Sequence, residues 1–152
     1  MKNNLTLIVL AVVAIVAGCA SEELLPKFAG VGFPVLMSVV LATSPRRNWF
    51  SLAVFALAAG GAEDSLSSLP VMTSPVFYLG LAALVRRWEL PPAVMIVAYP
   101  FYQLWLALWP SGVEGSLFVR MLVALPVGAV CLWVTERVCR FVERKAAIDE
   151  AV

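Results

Sequence analysis

The chain has 152 residues, of which 62% are hydrophobic and 14% charged, with a net charge of +1. Soluble domains carry about 45–50% apolar and about 25% charged residues, so a water-soluble fold of this size has nowhere to put this much apolar surface. No histidine is present, which removes the commonest general base and metal ligand. The cysteines at 19, 131 and 139 lack metal-ligand spacing, and the two later ones behave as small apolar residues.

The first apolar run, 5–20, follows Lys2 and ends in Val16-Ala17-Gly18-Cys19. That tetrapeptide matches a bacterial lipoprotein cleavage box, with Cys19 as the lipidation site. A plain first transmembrane helix explains the run equally directly, and is preferred because the rest of the chain is anchored several times over. The second run, 28–43, contains Pro34 and ends at Ser44-Pro45-Arg46-Arg47. The third, 49–62, is rich in small residues from Ala53 to Gly61, which let helix backbones approach closely in lipid. It is expected at the centre of the bundle, with Gly61 in a close contact.

Glu63-Asp64 and a Ser/Pro-rich break follow, then Ser74-Pro75, which has the form of a helix N-cap with proline at the first helical position. The fourth run is 71–85 and closes on Arg86-Arg87-Trp88. The fifth, 93–109, is aromatic, and Pro100 is expected to kink it. Ser111 and Glu114 have capping-box spacing before the sixth run, 116–135, which contains Pro126. A charged cytoplasmic tail occupies 136–152, with Glu136 and Arg140 spaced i,i+4.

The expected fold is therefore an all-α integral membrane protein, residues 1–152 forming one polytopic domain. It is a compact bundle of six short transmembrane helices with both termini cytoplasmic. Orientation follows from the sorting of basic residues. Inner segments carry Lys2, Arg46, Arg47, Arg86, Arg87, Arg137, Arg140, Arg144 and Lys145, and outer ones only Lys27 and Arg120. Glu63 and Asp64 then form a solvated outer tip. A four-span alternative makes runs three and four a re-entrant hairpin and puts both carboxylates at membrane depth, at a cost of a few kcal/mol each.

Little catalysis is visible: no nucleophile–base pair, phosphate loop or metal cluster, and no cofactor or nucleic-acid signal. Arg120 either snorkels to the interface or pairs with Glu114 or the Glu63-Asp64 tip. Gln103, Tyr99 and Tyr102 are polar groups within a span and, with Arg120, could line a small-molecule pocket; an interfacial aromatic belt explains most of the aromatics without one.

From Gly60 to Pro75 the chain resembles the bacterial rod shape-determining protein MreD family. In that family the third span runs into glycine, an aspartate and a Leu/Ser-rich turn with proline. Gly61, Asp64, Leu66, Ser67 and Pro70 follow this order, and Glu63 lies beside them. Leu25-Pro26 is a weaker echo. Family members usually carry a glycine soon after the proline, where this chain has Met72 and Thr73. The resemblance implies a non-enzymatic inner-membrane component of the elongation machinery for lateral peptidoglycan synthesis. It implies a complex with an MreC-like periplasmic scaffold, and through it MreB and the wall synthases. The outer-turn residues are the candidate partner surface. The alternative is a substrate-binding membrane subunit of an energy-coupling-factor vitamin transporter; an unassigned small membrane scaffold is a third possibility.

Overall fold

The computed structural model describes residues 9, 12–21, 31–67, 69–108 and 116–149. Lys2, Leu25-Pro26, Lys27 and the Ser111–Glu114 capping box lie outside them, as does Ser68. All regular elements among these residues are helical: α1 Val12–Ser21, α2 Val35–Thr43 with a 3-10 turn Ser44–Arg46, α3 Trp49–Ser67, α4 Thr73–Trp88, α5 Pro92–Met95, α6 Ala98–Leu106 and α7 Leu117–Asp149.

α2 is the centre of the molecule. Pro34 precedes the helix rather than interrupting it, and every residue from Leu36 to Ser44 is buried. An apolar helix with no polar face has this position available to it, since all its sides need cover. Ser38, Thr43 and Ser44 satisfy their hydroxyls on the carbonyls of Pro34, Val39 and Val40, four residues back. α3, expected at the centre, is instead two-faced. Leu52, Phe55, Ala56, Ala59, Gly60 and Glu63 form its buried stripe at helical spacing, while Phe50, Val54 and Leu57 are exposed.

α3 packs chiefly on α4, and α7 packs on both α2 and α6. Two glycines set close crossings. A Cβ on Gly60 would lie 2.5 Å from Pro75 Cα of α4, and one on Gly128 of α7 would lie 2.7 Å from Cδ1 of the Tyr99 ring. A Cβ on Gly61 would meet nothing within 4 Å. The close approach thus belongs to Gly60, one residue before the expected position.

The third and fourth helices are longer than their apolar runs. α3 has 19 residues and continues through Glu63-Asp64, which makes it about 28 Å long. α4 has 16 residues, about 24 Å. The fifth run is broken rather than smoothly kinked: α5 and α6 are separated at Ile96–Val97, four and three residues before Pro100. Pro100 has no N–H for the Ile96 carbonyl and its ring collides with that carbonyl, so the helix interrupts there. Pro126, by contrast, sits inside a continuous α7.

The exterior is apolar: Phe50, Val76, Phe101, Phe118, Leu122, Val130, Trp133 and Phe141 are all exposed. Charged and hydroxylic groups lie inside, including Ser38, Arg47, Glu63, Asp64, Thr73 and Ser74. Among the described residues one helix, over Leu117–Arg144, is long and apolar enough to cross a membrane; the apolar helices Val12–Ser21, Val35–Arg46 and Pro92–Leu106 are shorter.

The basic groups gather at one end of α3. Arg46 Nε pairs with Glu143 Oε1 of α7 at 2.5 Å. Arg86 at the end of α4 donates to the carbonyls of Arg47 and Ser44 and lies over the Trp49 ring at 5.2 Å. Arg47, only 6% exposed, lies over the Phe55 ring at 4.3 Å. The turn before α3, the end of α4 and the tail of α7 therefore share one end of the bundle, and Glu63-Asp64 stand near the opposite end of α3.

Candidate functional site

The acidic pair is not a solvated tip. Glu63 and Asp64 lie within α3, and each is only 6% exposed. The backbone continues helical because nothing from Ala62 to Ser67 breaks it, and the following turn reaches back, Leu69 N–H donating to the Asp64 carbonyl at 3.1 Å. Burial is tolerated because donors meet the carboxylates. Tyr78 of α4 donates its hydroxyl to Glu63 Oε2, and Tyr102 of α6 donates to Oε1 at 2.7 Å. Phenol donors to a carboxylate make charge-assisted bonds, roughly twice as strong as neutral ones. Two tyrosine hydroxyls from two other helices thus meet the Glu63 carboxylate directly.

Asp64 does a second job. Its Oδ1 accepts the backbone N–H of Ser74 at 2.9 Å. That N–H is one of the unpaired donors in the first turn of α4. The sequence suggested Ser74 as the cap of its own helix, but α4 begins at Thr73 and the capping oxygen comes across from α3. A carboxylate there also meets the positive end of the α4 dipole. The Ser74 hydroxyl is thereby free to share a bond with the Tyr102 hydroxyl at 2.6 Å. Thr73 accepts Trp105 Nε1–H on its carbonyl at 2.9 Å and directs its own hydroxyl to the Pro70 carbonyl at 2.7 Å.

The turn itself carries strain. Met72 has φ 74°, in the left-handed region that glycine enters without cost. Its side chain is exposed, as is that of Val71. Among the remaining candidates, Gly61 and Leu66 are half-buried and Pro70 is exposed, while Ser67 is the last residue of α3.

The aromatic candidates divide. Tyr102 joins the carboxylate cluster, with Phe77 and Tyr78 rings at centroid distances of 5.0 and 5.7 Å. Tyr99, one helical turn earlier, instead shares a 2.7 Å hydrogen bond with Ser38 of α2. Gln103 is half-buried on α6, and Arg120 is half-buried in the first turn of α7. Tyr78 and Ser38 were not picked out in the sequence. Each reads as one polar atom in an apolar run; Tyr78 stands four residues beyond Ser74, hence on the same helix face.

Asp64 Oδ2 is buried and has no hydrogen-bond partner among the described residues. Asp64 also lines a groove of about 240 Å³ between α3 and α4, together with Leu57, Gly61, Leu69, Met72 and Pro75. Among the described residues no group of three His, Cys, Asp or Glu side chains is placed to hold a metal ion. No protein-family model, curated protein or solved structure matches this chain.

Proposed function

We propose that this chain is a multi-pass inner-membrane protein acting as a non-enzymatic component of the bacterial elongation machinery, similar to MreD, in complex with an MreC-like scaffold. The observation that carries the proposal is the α3–α4 hairpin. The residues of the resemblance, Gly61, Asp64 and Pro70, fall on one structural unit in which Asp64 caps the partner helix. The left-handed backbone at Met72 is a conformation that suits glycine, and it falls where the family usually carries one. Multiple crossing is supported by the apolar exterior around a polar interior and by the gathering of Arg46, Arg47 and Arg86 at one end.

A second function draws on the buried Glu63–Tyr102–Ser74 cluster: a substrate-binding membrane subunit of a vitamin transporter, with these groups as its polar contacts. Affinity purification in mild detergent followed by mass spectrometry separates the two. The first predicts recovery of the wall-synthesis scaffold. Recovery of a transporter ATPase without that scaffold, or a co-purified vitamin, refutes it in favour of the second.

A further inference from the structure

We infer that the α3–α4 groove is the docking site for a basic side chain, Lys or Arg, carried by the membrane helix of a partner protein. Four observations converge on that occupant. Asp64 is 6% exposed, lines the groove, and has Oδ1 committed to Ser74 N–H while Oδ2 is unpartnered. A buried carboxylate oxygen without a donor is costly, and a cation is its strongest complement. The groove, at about 240 Å³, falls below the roughly 300–1,000 Å³ of drug-sized sites, so it suits one side chain rather than a whole small molecule.

The surroundings suit a helix. Gly61 lines the groove and faces open space, so the outer face of α3 is low where a neighbouring backbone would lie. Leu57, Val71 and Met72 of the groove lining are exposed and apolar. Asp64 also sits in the last turns of α3, where the negative end of the helix dipole adds to the attraction for a cation. The apolar walls, Leu57, Leu69, Met72 and Pro75, would cover the aliphatic stem of a Lys or Arg while its head approaches the Asp64 carboxylate.

This inference rests on the membrane placement proposed above, but not on the elongation assignment. The test places a photo-crosslinking p-benzoylphenylalanine at the exposed Val76, the residue after Pro75 of the groove wall, in the full chain in cells. Two variants are compared with the parent. Asp64→Asn keeps the Oδ1 acceptor for Ser74 and removes the charge; Gly61→Leu fills the groove and leaves the cap untouched. Both are scored only after matching the parent's detergent melting temperature to within a few degrees, and Gly61→Leu alone decides if Asp64→Asn does not match. The expected result is one adduct to a membrane protein with Lys or Arg in the outer turns of its helix. Its yield falls by about tenfold in either variant, the factor that about 1.4 kcal/mol supplies. Alanine at that partner Lys or Arg should abolish it equally.

An adduct indifferent to both variants overturns the inference. So does a partner segment lacking Lys and Arg, or an adduct of two copies of this chain. Loss of the adduct on replacing this chain's own Lys27 by Ala, with the partner's basic residue dispensable, also overturns it. A partner that meets every criterion but has no role in wall synthesis upholds the groove and removes the elongation assignment. Recovery of the scaffold with an insensitive adduct does the reverse.

Discussion

Substitution of Gly60 by Ala should destabilise the bundle, while the same change at Gly61 should not. The added Cβ at 60 would lie 2.5 Å from Pro75 Cα and 2.8 Å from the Ser74 carbonyl carbon, whereas ordinary contact begins near 3.4 Å. Those atoms are backbone, so no side chain can swing aside; α4 must retreat by about 1 Å. A retreat of that size stretches the Asp64–Ser74 bond from 2.9 Å to nearly 4 Å, outside hydrogen-bond range. Overfilling costs about 1–3 kcal/mol, and loss of a bond to a charged group about 1.5–3 kcal/mol. Alanine returns at most about 1 kcal/mol of helix propensity. The net expectation is a loss of roughly 1.5–5 kcal/mol at Gly60, against a change between zero and a gain of about 1 kcal/mol at Gly61. Thermal unfolding of the two purified variants in one detergent reads the difference. Equal midpoints, or a more stable Gly60→Ala protein, would refute the crossing geometry.

Other expectations follow from the same hairpin. Tyr102→Phe removes the hydroxyl shared by Glu63 and Ser74 and should cost about 1–3 kcal/mol, read by the same melt; an unchanged midpoint would mean that the cluster is not closed as described. Met72→Gly relieves a left-handed backbone at an exposed side chain and should raise stability by up to about 1 kcal/mol, the gain being trimmed by the looser unfolded chain. Single cysteines at Arg87 and Arg144 should react with a membrane-impermeant maleimide only after the cells are opened, and one at Val71 in intact cells. Labelling of 87 and 71 from the same side would end the six-span proposal.

Much of the architecture was written in the order of residue types. Apolar runs divided by Pro, Gly and paired Arg are enough to specify an all-helical chain and the approximate place of each helix. Basic pairs at 46–47 and 86–87 meet in space because a helical hairpin returns to its starting end, and that much follows from spacing alone. Pro100 announced a kink; backbone sterics made it a break, upstream at Ile96–Val97.

Tertiary packing decided the polar interior. In one dimension Glu63-Asp64 beside a Ser/Pro break is indistinguishable from a solvated turn, because hydropathy records what a residue costs to bury and not which donors await it. Those donors come from 10 to 39 residues away: the Ser74 N–H, the Tyr78 hydroxyl and the Tyr102 hydroxyl. Likewise Gly60 and Gly61 are the same letter. Only the rotation of α3 against α4, about 100° per residue, puts one under Pro75 and leaves the other facing an open groove.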